Sequence, residues 1–345
     1  MDVARIPDKE QLSDRKEAIL QAVVEEYMST ARPVGSGLVT DQSGLSVSSA
    51  TVRKELSALE DEGFLHQPHT SAGRVPTDKG YRYFIDALMG PSTLDSTVNQ
   101  RINEFFAHTH GELERILTET SRLLSGVTGS AALVVAPRAD TTTIKAVQLV
   151  SLEPNLLLLV VVLSTGGIER CTFELATPMT VEQVDRAQAI LCETLPGTTA
   201  HRSQTSPPAS ASGDSAVDAV VADSLASLII DDDDAPRVHV GGRSNVAGVF
   251  NETEKVAQVL QLFERQLLVV SLIRDVLDRG LRVAIGAETG VQNLNECSIV
   301  VAPYAVDGTE AGSIGVVGPT HMNYPQAMAA VAVISNQLGE HLTRG

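Results

Sequence analysis

The 345-residue chain contains no Trp, and aromatic side chains make up only 3% of it. Its cores must rest on Leu, Val, Ile and Ala, which supply most of a 43% hydrophobic content. Cysteine is scarce: Cys171, Cys192 and Cys297 are scattered, odd in number and form no C-x-x-C pair. That argues against a disulfide framework and a cysteine-rich zinc site, and suits a reducing, cytoplasmic setting. No apolar run is long enough to span a bilayer; the longest, residues 156–163, reads as a buried strand. The opening stretch MDVARIPDKEQL lacks the apolar core of a signal peptide. Cations are also short, and a formal net charge of −17 argues against a protein that coats nucleic acid without regard to sequence.

What is present is concentrated in one stretch, SVSSATVRKELSALEDEGFLHQPHTSAGRVPTDKGYRYF, residues 46–84. Ser46, Ser48 and Ser49 are candidate helix N-caps, because a short hydroxyl can accept from the free amides of a first turn. Val52, Leu56 and Leu59 then recur at helical spacing, and Gly63 stands where a helix ends in the left-handed conformation. Pro68, Gly73 and Pro76 break the polar segment that follows. The order helix, stop, short strand, loop, short strand is that of a recognition helix and its β-wing.

If Val52, Leu56 and Leu59 face a core, Ala50, Arg53, Lys54 and Ser57 lie on the opposite side. Small residues beside two cations suit entry into a major groove, and Ser49 and Thr51 belong to the same candidate DNA-binding set. The loop adds His69, Thr70, Ser71 and Arg74, and the helix after it adds Lys79 and Arg82. Arg74, between Gly73 and Val75, is placed to reach phosphate or a narrow minor groove. Only Val75 anchors the tip, so the loop is expected to be poorly ordered. The attraction has to be local: residues 1–90 carry 10 Lys+Arg against 14 Asp+Glu, whereas 64–83 carry Arg74, Lys79 and Arg82 against Asp78 alone. A module of this shape used for protein contacts is the alternative.

A chain of this length predicts two or three domains. A helix over 14–30 presents Ile19, Leu20, Val23, Val24 and Tyr27 on one side, capped by Ser13 or Asp14. After a break at RPVG, a short helix over 36–42 offers Leu38 and Val39, and Gly44-Leu45 turns the chain into the recognition helix. These elements predict a winged helix-turn-helix over 1–90. Thr77 caps a further helix through 89, and Gly90-Pro91-Ser92 marks a boundary. Residues 94–125 read as one long amphipathic helix, packed on a twin or on its own second domain; the domain reading takes 91–125 as a linker helix.

Strands are expected at 131–136, 145–151, 156–163 and 168–173, a helix over 180–195, strands again at 282–286, 298–303 and 313–317, and a closing helix over 324–342. This predicts one α+β domain in two halves, 126–198 and 275–345, split by an insertion over 199–274. Within the insertion, 197–213 is rich in Ser, Thr, Pro and Ala and is expected to be a disordered loop. The acidic run 231–234 reads as a solvated loop rather than a metal site. A helix over 253–278 is apolar on more than one face, and Val259, Phe263 and Leu267 are expected to bury that excess against a partner subunit.

The segment GFLHQPHTSAGRVPTDKGYRYF resembles the wing signature of the heat-inducible transcription repressor HrcA family, and SATVRKELSALEDEG resembles the helix before it. VHVGGRSNVAGVF, RVAIGAE and GSIGVVGPTHMNYPQAM extend the resemblance along most of the chain. It implies a winged-helix head and a GAF-like middle domain carrying an inserted dimerisation domain. It also implies a homodimeric repressor, neither an enzyme nor dependent on a cofactor. The implied target is double-stranded DNA at the CIRCE inverted repeat upstream of groE and dnaK, and the implied regulator is the GroEL chaperonin. Three departures stand out: Lys54 where Asn is common, His321 where Arg is common, and Ala287 where an acidic residue is common. A small-molecule sensor with an effector in the GAF-like domain is the rival reading.

Other chemistry has weaker support. Gly312, Gly315 and Gly318 lack the Lys-Ser/Thr of a phosphate loop and read as a closely packed strand. His66 and His69 form an H-x-x-H pair better explained as exposed loop residues. Glu288, His321 and Asp307 have nothing in the sequence to bring them together as an acid–base site.

Overall fold

The head begins with three helices: α1 (Asp14–Thr30), α2 (Ser36–Gln42) and α3 (Ser49–Asp61). The computed structural model describes residues 12–42, 48–90, 93–109, 111–137, 143–164, 167–175, 177–198, 214–227, 237–245, 253–280 and 282–344. Helix α1 buries Ile19, Leu20, Ala22, Val23 and Val24. Helix α2 buries Val39 but leaves Leu38 49% exposed, so its apolar face is one residue where two were expected. In α3 the Ser48 hydroxyl accepts from the Thr51 amide at 3.3 Å, and Val52, Leu56 and Leu59 are buried. Gly63 follows with φ +78°. Of the other cap candidates, Ser49 is the first residue of the helix, while Ser46 lies outside the described residues, as do the Gly44-Leu45 turn, Pro91 and Ser92.

Strands β1 (Leu65–His66) and β2 (Val75–Pro76) pair antiparallel as a short ribbon, Leu65 opposite Pro76. Thr77 then caps α4 (Asp78–Tyr83) by accepting from the Gly80 amide, and the helix widens into a π turn over Phe84–Leu88. Tyr81, Phe84 and Ile85 are buried as their spacing predicts.

The single helix expected over 94–125 is two, α5 (Ser96–His108) and α6 (Leu113–Thr128). Thr109 leaves the helical conformation after α5, and Gly111, at φ +136°, adopts a backbone that L side chains rarely take. Both helices pack within the chain. Ile102 and Phe106 of α5 and Ile116, Leu117 and Leu124 of α6 join the core shared by head and body.

The body is a five-stranded antiparallel sheet in the order β7-β3-β10-β9-β8, from Val238–Gly241, Ala131–Val135, Thr309–Pro319, Cys297–Val306 and Val283–Ile285. Successive side chains alternate faces, and both faces are covered. Ala132, Val134, Val300 and Val316 join the core that contains α6 and the closing helix α11 (Tyr324–Arg344). Ala131, Leu133, Ile299 and Val301 join a second core with α9 (Thr253–Glu264) and α10 (Gln266–Asp278). Gly312, Gly315 and Gly318 sit in β10, where an added Cβ would fall within 2.9 Å of neighbouring atoms, which accounts for the glycines by packing.

A separate module sits between β3 and β7. Strands β4 (Ile144–Glu153), β5 (Leu156–Leu163) and β6 (Ile168–Glu174) form their own antiparallel sheet. Helices α7 (Val181–Thr194) and α8 (Ser215–Ser227) cover one face through Leu157, Leu159, Val161, Val184, Leu191, Val217 and Val221. This regroups the expected domains. Residues 144–198, assigned to the first half of the split domain, belong with α8 in a module that has its own core. The helices at 253–278, assigned to the insertion, pack on the body sheet. That helical stretch is also two helices, parted at Arg265, and both contribute to the core on that face of the sheet. Helix α8 and strand β7 had no counterpart in the sequence reading. Most of the 197–213 loop and the whole acidic run lie outside the described residues.

Candidate nucleic-acid interface

Helix α3 separates its two faces as its period requires. Val52 and Leu59 are fully buried, while Ala50, Arg53, Lys54 and Ser57 are exposed and Ser49 and Thr51 are half-buried. Arg53 donates from Nε to the Ser36 hydroxyl at 3.2 Å, which steadies the guanidinium at the start of α2. The candidate helix residues are therefore brought together on one accessible face.

The ribbon is not the unanchored loop expected. Val34 and Arg74 exchange two backbone hydrogen bonds, at 2.9 and 2.8 Å, tying β2 to the chain before α2. A Cβ on Gly73 would sit 2.3 Å from the Val34 carbonyl oxygen, so this approach requires glycine. The Gln67 side-chain amide donates from Nε2 to the carbonyls of Thr70 and Ala72 and fills the inside of the turn. The side chains of His69 and Ser71 share a 3.1 Å hydrogen bond at the exposed tip, beside exposed Thr70.

Three cations grouped with this surface have other partners. Arg74 turns back to Glu60 of α3, with Nη2 2.8 Å from the carboxylate, which also accepts from the Gln67 amide. Its side chain is only 16% exposed, so it is not the free cation at the tip that the sequence suggested. Lys79 lies 4.4 Å above the Phe64 ring and donates to the Glu62 carbonyl, although the residue as a whole is exposed. Arg82 faces away from the ribbon and binds Glu288 of the body. Sequence reasoning missed Glu60, whose carboxylate braces the ribbon from α3. The only signal was an acid near the end of a helix followed by a loop with a lone Arg.

A cleft of about 830 Å³ opens between the ribbon base and the body, lined by Tyr27, His66, Lys79, Tyr81, Glu296 and His321 among others. His321 packs edge-on to Tyr27, and burial holds its pKa below the ordinary histidine value. Glu288 is committed to Arg82, and Asp307 sits in the β9–β10 turn with its amide on Thr343. His321, Glu288 and Asp307 thus have separate engagements. Among the described residues no group of three or more His, Cys, Asp or Glu side chains is placed to hold a metal. No described helix is long and apolar enough to cross a membrane.

These features define a class: a modular α+β protein whose small helical head presents a polar, cationic helix face and is carried on a larger body. The chain belongs to the HrcA family of heat-inducible transcription repressors, which is not an enzyme family; residues 114–328 match the model of the HrcA protein C terminal domain. It is 37% identical to the heat-inducible transcription repressor HrcA of Acidothermus cellulolyticus, covering 96% of this chain and 99% of the relative. The repressor of the same name from Carboxydothermus hydrogenoformans is 33% identical, over 95% of this chain and 98% of the relative. A crystal structure of a hypothetical protein shares the fold, with a TM-score of 0.67 at 22% identity over 97% of this chain and 99% of that one.

Proposed function

We propose that the chain is a homodimeric repressor that binds the CIRCE inverted repeat upstream of the groE and dnaK chaperone genes, with its activity sustained by the GroEL chaperonin. The observation that carries the DNA-binding part is the exposed face of α3, where Ala50, Arg53, Lys54 and Ser57 lie opposite the buried Val52, Leu56 and Leu59. In this reading the head is a winged helix-turn-helix. Helix α3 enters a major groove, with Ser49 and Thr51 near phosphate, and the ribbon tip at His69, Thr70 and Ser71 lies along the backbone. Arg74 braces the ribbon, and Lys79 stands within reach of phosphate.

The five-stranded body is the GAF-like domain of this reading, and the module over 144–227 is its dimerisation domain. Val259 and Phe263, expected at the interface, are 1% and 2% exposed inside the chain's own core, which speaks against that role. Leu267 is 64% exposed and stays available. The better candidate is the open face of β4-β5-β6, where half-buried Leu158, Val160 and Val162 lie beside Val150 and Ile168. An inverted repeat calls for a two-fold dimer, because each head reads one half-site. When heat shock diverts the chaperonin to unfolded clients, repression fails and the genes are expressed. The whole cycle belongs to the cytoplasm.

The test is a gel shift with a CIRCE duplex and a scrambled duplex at two stated salt concentrations, with and without GroEL. The expected result is a preference for CIRCE of about 1,000-fold or more at physiological salt, increased in yield by GroEL. Equal affinity for the two duplexes would overturn the reading. The rival is a small-molecule-sensing regulator with its effector in the GAF-like domain. Operator binding by pure protein that depended on a metabolite, with no chaperonin present, would favour it.

A further inference from the structure

We infer that Arg82, Asp78 and Glu288 are positioning residues that lock the head onto the body, fixing the separation at which the two heads of a dimer can engage DNA. This inference rests on the DNA-binding reading above and extends it to half-site spacing. The Arg82 guanidinium reaches both oxygens of Glu288, with Nε 3.0 Å from Oε1 and Nη2 on Oε2, and Nη2 also donates to the Val283 carbonyl at 2.7 Å. Planar, bidentate pairing of this kind fixes orientation as well as distance. Burial works against the Arg82 charge, but the hydrogen bond and charge of Glu288 outweigh it and hold the guanidinium above its ordinary pKa.

A reciprocal contact lies one turn earlier on α4. The Asp78 carboxylate accepts from the Ala287 amide at 3.1 Å, and the atoms of that carboxylate occupy the space a Cβ on Gly286 would need, 2.3–2.6 Å away. Glu288 in turn accepts from the Ile285 amide at 2.9 Å, so the receiving loop is itself held. Between the polar contacts the Tyr81 and Tyr324 rings meet at 5.6 Å, and the Tyr324 hydroxyl bonds to Ser298 and Thr320. The contact joins residues 206 positions apart in sequence, so it constrains the head independently of the chain path through α5.

Because α1, α3 and α4 share one core, whatever orients α4 orients α3. One base pair advances a half-site by about 3.4 Å along the duplex, so a head that swings by more than that reads the wrong register. A locked head therefore accepts one spacing between half-sites and rejects its neighbours.

The experiment uses full-length protein, a CIRCE duplex, and versions with one or two base pairs inserted between the half-sites. Wild type is expected to bind the altered duplexes at least about tenfold more weakly. Arg82→Ala, and separately Glu288→Gln, are expected to bring all three duplexes within about twofold, while binding to a duplex with a single half-site stays at the wild-type level. Variants that keep the wild-type spacing preference overturn the lock. So does an equal loss on the single half-site, which would make the residues structural supports of the head. If wild type itself fails to prefer CIRCE over scrambled DNA, the DNA-binding reading has failed, a result separate from either of these.

Discussion

The two larger sheets of this molecule differ in what covers them. The body sheet is buried on both faces, by α6 and α11 on one side and α9 and α10 on the other. Among the described residues, the sheet of β4, β5 and β6 is covered on one face: Leu157, Leu159, Val161 and Leu163 are buried, while Leu156, Leu158, Val160 and Val162 between them are half-exposed. All eight residues of β5 are aliphatic, the composition of a strand expected to be buried on both faces. An apolar surplus is therefore available for assembly only where the chain's own described helices leave it open. The same division separates the cations: Arg74 and Arg82 are paired with Glu60 and Glu288, whereas the Arg53 guanidinium, on the exposed face of α3, donates to the Ser36 hydroxyl.

The sharpest way to break this comparison is at Phe263. Phe263→Asp places a carboxylate in a core where the native side chain is 2% exposed. It is expected to cost at least about 4 kcal/mol and to give insoluble or unfolded protein rather than a folded monomer. A soluble Phe263→Asp chain that melts cooperatively near the wild-type temperature, yet runs as a monomer, would return the interface to α9. Val160→Asp is the counterpart on the open face, where Gln148 and Arg170 are the cross-strand neighbours. It is expected to raise the dimer dissociation constant by about 100-fold or more. The cost to the monomer should be no more than about 1 kcal/mol. Sedimentation over a range of concentrations measures the first quantity and a thermal melt the second. A dimer of unchanged affinity would remove the open sheet from the interface.

The next effect is smaller and concerns the cations that face outward. Arg53→Ala is expected to cost about 1–3 kcal/mol on a CIRCE duplex if Arg53 makes a bidentate base contact, and much less on scrambled DNA. Equal losses on both duplexes would reassign Arg53 to phosphate.

How much of this was legible follows from how far each signal reaches. The division of α3 into Val52, Leu56 and Leu59 against Arg53 and Lys54 is a short-range property of helical period, and so are the caps at Ser48 and Thr77. The positions of the strands other than β7 were legible for the same reason. Sheet membership was not. Residues 131–135 and 156–163 are both short aliphatic runs, and only long-range pairing, with β10 and β7, distinguishes body from insertion. The helix over 215–227 was lost beside a Ser- and Ala-rich tract with little amphipathic pattern. The break at Gly111 had a visible glycine, but glycine within a helical pattern is tolerated often enough that it did not decide the matter. Arg82 was read as a DNA contact because its local charge suited one, and its partner Glu288 is too distant in sequence to be inferred from local pattern.

Arg74 gives the finest test, because the two accounts of it differ by a small, measurable quantity. As a free cation at a wing tip, it would release counterions on binding. Arg74→Ala would then flatten the plot of log K against log salt by about 0.9 for each phosphate left without its cation, or about twice that for a dimer. As a brace held by Glu60 at 2.8 Å, it contributes mainly to the position of the ribbon. Arg74→Ala should then leave the slope unchanged and lower stability by no more than about 1 kcal/mol, the usual range for a partly exposed pair. Glu60→Gln separates the accounts further. It keeps an acceptor for the Gln67 amide while weakening the hold on Arg74, so a guanidinium freed toward DNA should steepen the slope. If Arg74→Ala flattens the slope by the full amount for one phosphate per subunit, the pair opens on binding and the ribbon is an active wing after all. An unchanged slope in both variants would leave α3 and the ribbon tip, with Lys79 behind them, to supply the attraction that a head of net charge −4 must find locally.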